Sequence, residues 1–387
     1  MAKRSPEFLI CFLIVGLCMA LWGCGTNSRF CGLACGPTPQ YNALLYATTT
    51  SNQILGFSIA STGALTPIAS TAGPANSQST AGVFGALLFA DSSSNEVVVE
   101  SVTIDTGALT PVPGSPFTLG SASGGPNSII VGPSGQTLYA SEPNGTIVGY
   151  SSLGSATMTA LPGSPYAAGI APTQMAVAQL TSSSPLAASL YASDSSDPNG
   201  GILAFAVASD GSLSPIAGSP FATTPNAGPS YLLNTMNSAG NQFLFVSLSN
   251  AGQIAGFSLD NSTGSLTPIP GSPFTAGKGP GTLIKGIANE LLMINTGDHT
   301  VEAFNIAVNG VLTPNGSPVA VGTANGGIAL YLEETQPSSP LYAADTAASS
   351  IDMVNVDNSS GAISAGGTVS ASSPPLQLAV YDQFPLP

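Results

Sequence analysis

Residues 45–67 read "LYATTTSNQILGFSIASTGALTP", and the chain returns to that sentence six times, making seven copies. The opening Leu, followed by an aromatic residue or Met and then small polar residues, recurs at Leu88, Leu138, Leu190, Leu244, Leu292 and Leu341. The successive intervals are 43, 50, 52, 54, 48 and 49 residues. That period suits a four-stranded propeller blade and exceeds most helical repeats. Each unit parses the same way. "LYA" is a short strand, and the run after it alternates, with Leu55, Phe57 and Ile59 against Ile54, Gly56 and Ser58. A tight turn follows, as in "STGALTP" or "SDGSLSP", where Gly supplies the positive φ that a hairpin needs.

A second phrase then appears: "LTPVPGSPF" at 109–117, "LSPIAGSPF" at 213–221 and "LTPIPGSPF" at 266–274, with looser versions at 159–166 and 312–319. It reads as the next strand with its exit toward the following blade. A loop containing "GP" and another apolar strand complete the unit. With strands lettered A to D outward from the axis, each unit runs B–C–D and crosses to A of the next blade. The first unit therefore lacks its own A strand, and the spare strand "PPLQLAVYD" (374–382) is expected to supply it beside Leu44 to Thr48. The fold class is all-β: a seven-bladed propeller over 43–384, closed by its C-terminal strand. On that reading strand D is the outer edge, where proline breaks no ladder bond and blocks pairing with another molecule.

The first 42 residues stand apart. Lys3 and Arg4 precede an apolar run from Phe8 to Leu21, too short for a spanning helix of about 20 residues. The run ends in "LWGCG", where Leu21, Gly23 and Cys24 have lipobox spacing and Trp22 departs from it. The expectation is a signal peptide over 1–23, a lipid on Cys24 and a tether over 24–42. An ordinary signal peptide and an uncleaved anchor are the alternatives. The predicted location is the cell envelope. Cys31 and Cys35, spaced CxxxC, suit a small disulfide loop in an exported protein.

Removing residues 1–23 leaves 18 acids against 3 bases, a net charge of −15. So few cations argue against nucleic acid as a partner. The expected partners are a small molecule, glycan or protein, and the membrane through the lipid; a monomer is expected.

Units of the form "LYA…N…I.GFSID..TG.LTP.PGSPF…GP" resemble the seven-bladed propeller lactonase family, which includes 6-phosphogluconolactonase-like and YVTN-type repeat proteins. The likeness covers about residues 43–384 and rests on repeat motifs. It implies lactone hydrolysis in the central funnel as a candidate activity. A propeller hosts many functions, so a non-catalytic surface propeller that binds through its loops is the alternative.

No GxSxG, HExxH, phosphate loop or dinucleotide fingerprint is present, and no cofactor is implied. The B–C and D–A loops share one face. There the candidate catalytic groups are His299, the only histidine, with Asp298, Glu142 and Lys278. Asp194, Asp197 and Asn199 carry oxygens that could ligate Ca²⁺, and are equally ordinary turn formers. No structural metal is expected. Asp105, Asp210, Asp260 and Asp357 precede hairpin glycines and are read as turn caps. Lys285 is placed on an innermost strand, either lining the tunnel or held by a carbonyl.

Overall fold

Short apolar runs punctuated by Gly, Asn and Pro give strands throughout, and the described residues contain no helix. The computed structural model describes residues 43–382, apart from short stretches at 75–76, 78, 84–85, 104, 121–124, 152–156, 170, 181–187, 238, 324–325 and 332–335. The segment expected to be a signal peptide, the tether, Cys24, Cys31 and Cys35 lie outside the described residues.

Seven antiparallel sheets follow the order D–C–B–A. In blade 1 that order is Leu65–Ala72, Gln53–Ile59, Ala43–Thr49 and then Pro375–Asp382, so the last strand does complete the first blade. The closing register runs from Ala43 opposite Asp382 to Thr49 opposite Pro375. Each A strand touches the A strands of both neighbouring blades, right round the axis. The A strands start at the face carrying the B–C and D–A loops, called here the loop face, and end at the hairpin face.

The alternation along strand C did not translate into one wet side. Leu55, Phe57 and Ile59 are buried, and so are Ile54 and Ser58. The reason lies in the packing. The seven buried apolar clusters each straddle one pair of adjacent blades, so both sides of a blade face another sheet. Polar residues on these strands are small enough to sit in such an interface.

The "PGSPF" phrase proves to be more than an edge strand with its exit. In blade 5, Leu266–Pro268 pairs with strand C (Gln253–Leu259), the chain turns out, and Phe274–Thr275 pairs with the same strand again. Blades 2, 3, 4 and 6 repeat this split. Where the outer strand departs, the Ser272 hydroxyl accepts the Gly256 N–H at 2.9 Å, and the Gly256 carbonyl accepts the Ile269 N–H at 2.9 Å. Ser115, Ser164 and Ser219 do the same for Val99, Gly149 and Ala204. The Ser–Pro bond is cis in these four copies. The serine thus fills the hole that a bulged edge leaves in the ladder. Gly256 is buried, so Ser272→Ala strands a buried N–H and should cost about 1–3 kcal/mol. Urea unfolding checks this; an unchanged midpoint would mean that water replaces the hydroxyl.

The tyrosine of "LYA" latches blades together. The hydroxyls of Tyr46, Tyr139, Tyr191 and Tyr342 donate to the carbonyls of Gly107, Gly211, Gly264 and Gly63, at 3.0, 2.7, 2.6 and 2.7 Å. Each glycine sits in the C–D hairpin of the next blade, and the last bond joins blade 7 to blade 1. Gly264 has φ +72, and a Cβ there would lie 2.1 Å from the Ser189 hydroxyl oxygen. Only glycine offers a bare carbonyl at that approach.

Candidate functional site

The loop face is built by one turn used seven times. Each B–C turn ends on a residue with positive φ: Asn52, Asn95, Gly145, Gly200, Gly252, His299 and Ser349. In every copy its carbonyl accepts a backbone N–H from the chain leaving the D position; for His299 the donor is Val321, at 3.0 Å. His299, at φ +53, therefore holds the corner that Asn, Gly or Ser holds elsewhere. Its backbone job is structural, and its ring is half-buried.

Asp298, beside it, accepts the Lys278 backbone N–H at 2.7 Å, and the Lys278 ammonium lies 3.9 Å from the other carboxylate oxygen. That ammonium is 85% exposed, so the pair is a solvated one. Glu142 is three blades away, at the end of strand B in blade 3. It is fully buried, with one oxygen accepting the Thr146 hydroxyl at 2.9 Å and the other without a partner. The structure brings Lys278, in the D–A loop that leads into blade 6, beside the B–C loop of blade 6 that carries Asp298 and His299, and leaves Glu142 apart.

The oxygens named for Ca²⁺ are engaged in turns. Asp194 accepts the N–H and hydroxyl of Ser196 and the N–H of Ala171, while Asp197 accepts from Asn199 and Gly201. Among the described residues no three His, Cys, Asp or Glu side chains gather as a metal site. Three of the four hairpin aspartates, Asp210, Asp260 and Asp357, cap their turns as read. Asp260 and Asp357 are held down to about 2 by the hydroxyl and N–H donors of Ser262 and Thr263, and of Ser359 and Ser360. Lys285 ends an A strand, and its ammonium donates to the Met236 carbonyl at 2.7 Å on the hairpin face.

The concave feature of the loop face is a cavity of about 220 Å³ near the axis. Tyr231, Thr282, Leu376 and Gln377 reach it from the first residues of strand A in blades 5, 6 and 1, and Thr296 and Thr346 from the B–C loops of blades 6 and 7. Gly281 and Gly326 complete the wall. The Thr296 and Thr346 hydroxyls donate to the Gly279 and Pro375 carbonyls, at 2.9 and 2.6 Å. The Thr282 hydroxyl oxygen is buried without a partner. None of these residues was singled out from the sequence, although most follow the "GP" and "PP" loops that mark the start of strand A.

Similar solved structures cover nearly the same span. A Bacteroides fragilis protein provisionally named a 6-phosphogluconolactonase is 16% identical, with a TM-score of 0.67, over 90% of this chain and 100% of its own. The Pseudomonas aeruginosa periplasmic gluconolactonase is 14% identical, with a TM-score of 0.66, over 87% and 98%. The chain shares their fold. A protein from Lactobacillus plantarum, 17% identical with a TM-score of 0.67, covers 88% of this chain and 99% of its own. No protein family matches the chain by sequence, and no curated protein does.

Proposed function

We propose that the axial cavity is a small-molecule site and that the protein is an exported propeller, lipid-anchored at Cys24, which binds a sugar-type ring there. The observation that carries this reading is the convergence of four consecutive blades on one concavity at the loop face. Its volume lies below the ~300–1,000 Å³ of drug-sized sites, which fits one ring or the end of a glycan. Binding without turnover is the first reading because, among the described residues, the lining holds no carboxylate or imidazole to activate water. Hydrolysis of a lactone is the second, favoured by the gluconolactonase among the structures of the same fold.

The test is a panel of sugar lactones and free hexoses against the full chain, purified in mild detergent. Thermal unfolding and acid release are followed together. At least one ring is expected to raise the Tm, and Thr346→Trp, which fills the cavity, should remove that rise. A panel without any shift overturns the site. Acid release above the spontaneous rate would favour the hydrolase, and His299→Ala should then lower it at least tenfold if the imidazole is the base.

A further inference from the structure

The cavity's hydrogen-bonding sense is biased. A threonine hydroxyl has one proton and two lone pairs. Thr296 and Thr346 have each committed that proton to a backbone carbonyl, so what they offer a ligand is acceptor oxygen. Ligand groups that donate fit such a wall, and groups that only accept meet lone pair against lone pair.

The charge around it points the same way. Among the described residues the Lys and Arg side chains are Lys278 and Lys285, and neither lines the cavity. Lys278 stands in solvent beside Asp298, and Lys285 is held by the Met236 carbonyl at the far end of its strand. Asp345 immediately precedes Thr346 in the chain. Burial works against its ionisation, yet the N–H of Ala348 and the hydroxyl and N–H of Thr323 hold its carboxyl below the usual range. The residue next to Thr346 is thus negative at neutral pH.

Resting on the reading of the cavity as a sugar-ring site, we infer that it selects an uncharged, hydroxyl-rich ring and rejects the phosphorylated counterpart. A phosphoester carries close to two negative charges and three acceptor oxygens at neutral pH. It would face acceptor hydroxyls, with an ionised aspartate one residue along the chain from Thr346 and no Arg or Lys among the lining residues to receive it. A neutral polyol brings several O–H donors to the same surface. The unpartnered hydroxyl of Thr282 can turn to donate or accept, which suits a ring that carries both functions.

The experiment is calorimetric titration of the full chain with gluconolactam, a hydrolysis-resistant ring, and separately with its 6-phosphate. Neutral binding at least tenfold tighter than phosphorylated binding is expected, with little dependence on salt. Equal affinity, or a preference for the phosphate, overturns the selectivity while leaving the cavity as a ring site. If neither ring binds, the site reading and the selectivity fail together. Gln377→Lys places a cation in the lining, and the ratio should then move at least tenfold toward the phosphorylated ring. A ratio that stays put would show that the lining does not set the preference. Thr346→Val, which removes an acceptor, should weaken the neutral ring at least threefold and leave the phosphate no worse.

Discussion

Deleting residues 374–387 should leave no folded monomer. The lost segment carries the whole A strand of blade 1, and its removal strips strand Ala43–Thr49 of one of its two partners. That strand is buried along its full length, so the N–H and C=O groups that bond to the closing strand would be left without their ladder partners. Leu378 would leave the core between blades 7 and 1 as well. A ring cannot localise such a loss, because each blade is held only by its neighbours. Size exclusion and far-UV circular dichroism read the outcome, and a compact monomer with native β signal would refute the expectation. A permutant separates pairing from truncation. Moving 374–382 ahead of Ala43 through a short loop joins the two strands as the A–B hairpin that the other blades already have. Ala43 lies opposite Asp382, so the loop spans little distance. This variant should fold, with a Tm within a few degrees of the parent.

That closure was readable because it is a matter of counting. Seven B–C–D units and one surplus apolar strand leave one consistent assignment. The same holds for Asp210, Asp260 and Asp357, whose partners lie two or three residues away. What could not be read comes from contacts between repeats. The half-buried serine of "PGSPF" looks like turn filler until strand C is seen beside it. The tyrosine of "LYA" looks like core until its hydroxyl meets a glycine carbonyl 61 or more residues along the chain. His299 has a backbone role that was hidden for the opposite reason. A lone histidine in a polar loop suggests chemistry, and only aligned turns reveal that it fills the corner taken elsewhere by Asn52 or Gly145. The cavity went unseen because its lining is Thr, Gln and Tyr, residue types that carry no motif.

The tyrosine latches also fix how the protein answers to pH. Burial pushes the Tyr139 phenol from 10.0 up to about 12, and raises those of Tyr46, Tyr191 and Tyr342 as well. A phenol with a higher pKa folded than unfolded binds its proton more tightly in the fold. Its contribution is complete below about pH 10 and is lost as pH climbs toward the folded value. Each phenol then removes about 1.4 kcal/mol per pH unit. Four of them over about two units amount to on the order of 10 kcal/mol, comparable with the ~5–15 kcal/mol that holds a typical domain together. Stability should therefore collapse between about pH 10 and 12. Two carboxylates shape the acid side. Burial raises Glu100 from 4.5 to about 6 and raises Glu290 too, so their contributions are complete below about 4.5 and shrink as pH rises. The lowered aspartates act in reverse, losing theirs only as pH falls below about 4. The optimum is thus expected near pH 4 to 5, unusually acid for a folded chain. Urea midpoints measured from pH 3 to 12, with tyrosinate absorbance followed in parallel, test both limbs. Tyr191→Phe should cost about 1 kcal/mol at pH 7 and flatten the alkaline limb. Phenols that ionise near pH 10 with the fold intact would show that the latches open to water without unfolding.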